Sequence, residues 1–364
     1  MGRTEVTENF LQERGAEWTS DDELRRVDHY GDPDAEYETV AQGGLAIMER
    51  GRRDTLVISG EDAVPWLQGL VTSDLHELVD EGNGQRTAFV NTTGRFVGEA
   101  RVLHLPELLL LDMEPGTLDG GLYSHLRQHI ILEKVNLDDR SDATARVGFF
   151  GERAAEVLER LADWKYPPGE RPPFHGSWSR WSGRDLIVQR VVWSRLPGFE
   201  ICCDVDTVVP LMEAIETLEG SLPLIGHRTF ETMRIEDGVP RFGTELHDRV
   251  IPLEAHFDDA ISYEKGCYLG QEIIARLDSR GIPAKLLRRV VLDGKEVPQP
   301  GTTVYSVDDE KKIGHVESAA YSPRHDAPVA LAFVKRNHND IGNAVRIDDA
   351  EGRLQPLLDL TALS

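Results

Sequence analysis

Val57-Ile58-Ser59-Gly60-Glu61-Asp62-Ala63 runs on to Leu67 and Leu70, and Val147-Gly148-Phe149-Phe150-Gly151-Glu152-Arg153-Ala154 runs on to Leu158 and Leu161. Gly, Glu, Ala, Leu and Leu recur at identical spacings in the two stretches. Each reads as a strand, a turn glycine and a helix with one apolar stripe, which predicts two related strand-helix units and not a long solenoid. Between them, residues 87–90, 100–103 and 108–111 are strand-like and residues 121–130 helical, a pattern that suits an α+β layer. Gly82-Asn83-Gly84 reads as a hairpin turn. Beyond the Pro-rich segment Tyr166-Pro167-Pro168-Gly169-Glu170-Arg171-Pro172-Pro173, strands are expected at 185–192 and 199–203 and a helix at 208–218. From about Gly281, short strands punctuated by Gly294, Gly301, Gly314 and Gly342 predict a small β-barrel.

A chain of 364 residues exceeds one ordinary core and suggests two or three packed modules. The formal net charge of −24 repels phosphate backbones and argues against direct nucleic-acid binding. Only 8 of the 40 basic residues are lysine, and a carboxylate-rich, lysine-poor surface suggests a halophilic source. Three cysteines, two of them adjacent (Cys202 and Cys203), form neither a disulfide framework nor a metal-binding spacing, so a reducing cytoplasm is expected. The first residues lack a cationic-then-apolar leader, and the longest apolar run, near Leu108 to Leu111, is too short to cross a bilayer. His125 and His129 lie four apart on a predicted helix without a third ligand at a recognisable spacing, and no metal is expected. No phosphate-binding glycine loop of the G-x-x-x-x-G-K-[ST] type occurs.

The stretch with most chemistry is Lys265-Gly266-Cys267-Tyr268-Leu269-Gly270-Gln271-Glu272. Residues 272–277 read as helix, with Glu272 and Arg276 spaced to pair, so Cys267 is placed just ahead of a positive helix end and beside an ammonium. Both would favour its thiolate, while Gly266 and Gly270 allow positive φ or close backbone approach. The residues alone also allow a buried cysteine beside two turn glycines.

This octapeptide resembles the signature of YgfZ-type folate-binding proteins, in the superfamily of the glycine-cleavage T-protein, the tetrahydrofolate-dependent aminomethyltransferase. Ile313-Gly314-His315-Val316-Glu317-Ser318-Ala319-Ala320-Tyr321-Ser322-Pro323 and Val329-Ala330-Leu331-Ala332 are similar to that family's C-terminal barrel. The resemblance implies a three-lobed α+β fold around a folate pocket: a discontinuous central lobe of residues 1–54 and 144–282, an inserted lobe of 55–143, and a β-barrel of 283–364. Leu196-Pro197-Gly198-Phe199-Glu200-Ile201 resembles the segment whose glutamate binds the pterin, which assigns that role to Glu200 and an aromatic wall to Trp193. One carboxylate can accept both N–H groups of a pterin edge. A surface glutamate on an alternating strand is the other reading of Glu200.

Residues 89–99 resemble the aminomethyltransferase segment that ends in an Asp-Asp pair, here Gly98-Glu99. Glu99 then stands where a carboxylate orients the C1 donor, with one extra methylene; as plain sequence it equally suits a solvated strand position. The pocket implied by the resemblance also includes Asp112. Gly226 to Pro240 is similar to the family's helix ending in R-[IL]-E-x-G, with Phe230 in place of a folate-binding arginine, Arg228 as a possible substitute, and Arg234 and Glu236 as structural residues. The implied functional residues are therefore Cys267, Glu99 and Lys265 for chemistry, and Glu200, Trp193, Glu99 and Asp112 for the ligand. Gly266, Tyr268, Gly270, Gln271, Glu272 and Arg276 shape the loop. The implied cofactor is tetrahydrofolate or a derivative. The implied function is a YgfZ-like protein supporting iron-sulfur protein maintenance, with assembly or client proteins as partners and an indirect role in tRNA modification. The alternative is a C1-transfer enzyme, an aminomethyltransferase or demethylase of T-protein type.

Overall fold

The computed structural model describes residues 3–19, 24–281 and 283–360. The chain enters through helix α1 (Glu5–Gln12), a two-stranded ribbon of β1 (Glu17–Trp18) and β2 (Val27–His29), helix α2 (Pro33–Ala41) and strand β3 (Ala46–Glu49). The first predicted unit follows: strand β4 (Asp54–Ser59), Gly60, helix α3 (Ala63–Gln68), then a meander of β5 (Gly84–Val90), β6 (Phe96–Leu105) and β7 (Leu108–Met113). Helix α4 (Tyr123–Gln128) and β8 (Asn136–Asp139) complete it as a five-stranded sheet of order β5-β6-β7-β4-β8.

The second unit repeats this plan. Strand β9 (Thr144–Phe150), Gly151 and helix α5 (Ala154–Leu161) lead to a meander of β10 (Gly176–Trp181), β11 (Arg184–Val191) and β12 (Gly198–Asp204). The resulting sheet has the order β10-β11-β12-β9-β3, so its last position is filled by the strand that precedes the first unit. The two turn glycines do the same work. Gly60 has φ +117° and a Cβ there would lie 2.1 Å from the Lys134 carbonyl oxygen; Gly151 has φ +105° and a Cβ would lie 1.8 Å from that of Gly44. Only glycine allows each strand to turn beneath a neighbouring backbone and start its helix.

Helix α6 (Val208–Glu219) packs with α1 and α5 over one face of the second sheet, burying Leu11, Ile47, Phe149, Leu158, Ile201 and Leu211. Leu56, Trp66, Leu67, Phe89, Val102 and Leu111 form the corresponding core of the first sheet. Helix α7 (His227–Asp237) and helix α8 (Gln271–Arg280) then lead into β13 (Lys285–Leu292), β14 (Thr303–Ser306), β15 (Lys312–Ser322), β16 (Ala327–Lys335), β17 (Ala344–Ile347) and β18 (Ala350–Gln355). These six strands close into a barrel of order β13-β16-β15-β14-β17-β18. The fold is thus α+β, with the two related sheets and the barrel packed together. Phe96, Val250, Phe257, Ile274, Leu287 and Leu331 knit the barrel to the first sheet.

Gly82-Asn83-Gly84 departs from expectation. It is a turn, but it leads out of a 3₁₀ turn (Leu75–Glu77) into β5 and joins no pair of strands; Gly82 N–H donates to the His104 carbonyl at 2.7 Å instead. Among the described residues no helix is long and apolar enough to cross a membrane.

Candidate functional site

Between the two sheets lies a buried cluster of charges. It is seeded by Glu49-Arg50-Gly51-Arg52-Arg53-Asp54, the tight link from β3 to β4, in which Glu49, Arg50, Arg53 and Asp54 are all buried. Asp112, at the end of β7, is gripped by three guanidiniums: Arg53 Nη2 at 2.8 Å, Arg146 Nε at 2.9 Å and Arg101 Nε at 3.0 Å. Glu114 is bound by Arg53 and, at 3.4 Å, by Arg241. Glu200, on β12, takes Arg101 Nη2 on one oxygen at 2.5 Å, and on the other Trp193 Nε1 and Arg50 Nε, both at 3.0 Å.

Burial alone would raise these carboxylates, but the guanidiniums outweigh it. Arg101 and Arg53 hold Asp112 far below the usual range, Arg53 and Arg241 hold Glu114 down to about 2, and Arg101 and Arg50 lower Glu200. All three stay ionised, as buried carboxylates do when paired and hydrogen-bonded.

Arg50 is the loosely held member. Apart from Glu200, among the described residues the polar partners of its guanidinium are the Met48 sulfur at 3.7 Å and Glu114 at 3.8 Å, and it lies 3.8 Å from the centre of the Phe230 ring and 5.1 Å from that of Trp193. Burial pulls it down to about 10, with Glu200 acting in the opposite direction. A cleft of about 10 Å³ beside it, lined by Arg26, Met48, Arg53, His227, Phe230 and Arg241, has room for one water at most.

Glu99 stands apart from these pairs. It lies on β6 two residues before Arg101, so both side chains leave the same face of the strand. Among the described residues its carboxylate makes no hydrogen bond or ion pair. Glu99 is half-buried, and this burial pushes it up to about 7, with Arg101 and Arg86 acting the other way.

The octapeptide folds into a different place. Lys265 donates three hydrogen bonds to carbonyls at the end of α3 and just beyond: Gln68 at 2.7 Å, Val71 at 2.8 Å and Ser73 at 2.7 Å. Its ammonium, expected to favour a Cys267 thiolate, is therefore spent on the first sheet's backbone. Burial lowers it to about 8. Gly270 has φ +80°, and a Cβ there would lie 2.4 Å from the Asn91 carbonyl oxygen. The loop is thus pressed against the first sheet, with Leu269 N–H bonded to the Gly69 carbonyl at 3.1 Å. Helix α8 starts at Gln271, and Glu272 pairs with Arg276 at 3.1 Å as their spacing requires. Gln271 turns back to Tyr268 N–H at 3.4 Å; Tyr268 is buried and Gly266 opens onto free space. Cys267 is exposed, three residues before the helix cap, and Cys202 and Cys203 are buried. Among the described residues no hydrogen bond or ion pair joins residues 265–272 to Glu200, Asp112, Trp193 or Glu99.

Helix α7 fixes the lobes. Arg234, fully buried, binds Glu245 at 3.1 Å and Glu231 at 2.8 Å, while Glu236 accepts from Tyr37 at 2.7 Å and from Ser322 of the barrel. Arg228 cannot replace an arginine at position 230: it faces outward and pairs with Asp28, while Phe230 packs under Arg50. His125 and His129 lie with ring centres 4.8 Å apart and their planes tilted by 51°, and the described residues hold no group of three metal-ligating side chains.

The profile of the GCVT N-terminal domain matches residues 7–265, and that of the glycine cleavage T-protein C-terminal barrel domain matches 285–357. The chain belongs to the GCVT family. An aminomethyltransferase of Caldanaerobacter subterraneus subsp. tengcongensis is 26% identical over 318 residues, 86% of this chain and 83% of its own. One from Geobacillus kaustophilus is 29% identical over 308 residues, 82% of each chain. The crystal structure of the glycine cleavage system aminomethyltransferase T from Bartonella henselae superposes with a TM-score of 0.84 over 96% of this chain and 95% of that one, at 17% identity, a likeness of fold. In this GCVT-family chain, sequence reasoning singled out Glu200, Trp193 and Asp112 but missed Arg50, Arg53, Arg101, Arg146 and Glu114. The available signal was the arginine-rich run 50–53 in a lysine-poor chain, set directly between two apolar strands.

Proposed function

We propose that this protein is a one-carbon transfer enzyme of T-protein type that acts on a reduced folate, with Glu99 as its proton-handling group. The observation that carries the reading is a carboxyl without a partner, held near neutrality on the strand face that also projects Arg101 toward Glu200. A group that titrates near the working pH is the kind that can take a proton from an amine and return it. The full-length likeness to aminomethyltransferases supports the same reading.

As folded, the residues do not fit a pteridine. Both oxygens of Glu200 are engaged by Trp193, Arg50 and Arg101, and the neighbouring cleft of about 10 Å³ is far smaller than a fused two-ring ligand. Glu99 holds or releases its proton at the carboxyl oxygens, and the ion cluster keeps Glu200 ionised and fixed.

The test is tetrahydrofolate-dependent ammonia release from an aminomethyl donor, followed against pH. Wild type should gain activity as Glu99 ionises through about pH 7. Glu99→Gln should lose roughly 10²- to 10⁴-fold and the pH step with it. Turnover by Glu99→Gln with an unchanged profile would reject the assignment.

A second reading, a cytoplasmic YgfZ-type accessory protein supporting iron-sulfur proteins, is favoured by the exposed thiol of Cys267 within its octapeptide. If Cys267→Ser abolishes rescue of iron-sulfur enzymes while Glu99→Gln does not, that reading replaces the first.

A further inference from the structure

The closed cleft has a specific occupant. A pterin presents an amino group and a ring N–H on either side of one carbon, and a guanidinium presents the same N–C–N donor geometry. Arg50 sets one nitrogen of that group, Nε, 3.0 Å from Glu200 Oε1, with the guanidinium over the Phe230 ring at 3.8 Å and beside the Trp193 indole. Carboxylate, aromatic floor and aromatic wall are thus all taken by a side chain of the protein itself.

We propose that Arg50 is an internal stand-in for the pteridine: its guanidinium seats on Glu200 in the resting protein, and a pteridine binds by displacing it. This rests on the folate reading above and adds the competitor.

Three observations favour displacement over permanent closure. First, Arg50 is poorly bound: its Nε lies within ion-pair distance of Glu200 but makes no well-aligned hydrogen bond, and its further polar contacts are the Met48 thioether at 3.7 Å and Glu114 at 3.8 Å. Arg53, by contrast, reaches both oxygens of Asp112 and one of Glu114. A buried, under-bonded cation regains hydration when it leaves. Second, Arg50 is followed by Gly51, which has φ +68° and lies at the break between β3 and β4, so its side chain hangs from a link and not from a strand interior. Third, the charges balance without it. Arg53, Arg101, Arg146, Arg234 and Arg241 face Asp112, Glu114, Glu200, Glu231 and Glu245, five against five, and Arg50 is the excess.

The experiment is calorimetric titration of tetrahydrofolate into wild type, Arg50→Met and Arg50→Lys, with Trp193 fluorescence as a second readout. Arg50→Met removes the surplus charge but keeps apolar volume, so it should remain folded. It should bind at least tenfold more tightly than wild type. Arg50→Lys, with a single ammonium in place of the forked donor, should fall between them. Lumazine, in which a carbonyl replaces the 2-amino group, should gain nothing from either substitution. Wild type binding as tightly as both variants would overturn the stand-in and leave the folate reading intact. Absence of binding by wild type and by both folded variants would remove the folate reading and the stand-in together. Should Arg50→Met fail to fold, Arg50→Lys decides: affinity equal to or below that of wild type overturns the proposal.

Discussion

Two carboxylates on the same inter-sheet face behave oppositely because, among the described residues, one has partners and the other has none. Glu114, held by Arg53 and Arg241, titrates near 2, whereas unpartnered Glu99 titrates near 7. The signs follow from proton counts. Between an unfolded value of about 4.3 and 7, the folded protein keeps the Glu99 proton that the unfolded chain releases, so stability falls as pH rises through that window. For Glu114 the unfolded chain binds the proton first, so its contribution is present above about 4.3 and lost as pH falls toward 2. Glu99→Gln should therefore raise stability at pH 8 by up to about 3 kcal/mol and leave it unchanged at pH 4, read by denaturant melts at both pH values. Glu200→Gln should destabilise by roughly 3–5 kcal/mol, because Arg101 and Arg50 lose their buried counter-charge. A weaker ligand signal from Glu200→Gln is informative only beside its melting curve.

Elements were legible where periodicity carried them. The strand-glycine-helix echo at Gly60 and Gly151 is visible in sequence because each glycine answers one steric demand from a neighbouring carbonyl, and the resulting sheets share one strand order. Gly151→Ala should destabilise by several kcal/mol, as it adds both a positive-φ penalty and a backbone clash; thermal melting checks it. The link from β3 to β4 was not legible. Five charged residues around one glycine have the composition of a solvated turn, and nothing local indicates that the carboxylate partners of Arg50 and Arg53 stand 59 and more positions later. The loop at Lys265 was half legible: its glycines and helix start follow from local rules, but its ammonium is claimed by carbonyls at the end of α3 and just beyond, which no local pattern records. Lys265→Met strands three carbonyls and should loosen the loop, seen as faster amide exchange at Leu269 and through α8.

Across the whole molecule, charge has two separate roles. Most of the surplus behind the net −24 lies at the surface, where added salt shortens the reach of repulsion from about 10 Å at 0.1 M to about 3 Å at 1 M. The inner cluster is buried and escapes that screening. The melting temperature of wild type should therefore climb with potassium chloride, while the cost of Glu200→Gln stays the same; a stability independent of salt would remove the halophilic reading. The two sheets also differ in how their strands are drawn from the chain. The first is continuous, from β4 to β8, whereas the second takes its outermost strand from Ala46–Glu49 and that strand's partner from Thr144–Phe150. On a ribosome adding roughly 5–20 residues per second, β3 emerges and then waits about 5 to 20 s for β9 to be made. During that delay the earlier sheet can fold, while a short apolar ribbon followed by Arg50, Arg52 and Arg53 remains unmatched. Those nascent cations give the waiting segment a hydrated flank that discourages its pairing with other chains, so Arg50 and Arg53, which later line the cleft, also guard the polypeptide as it is being made.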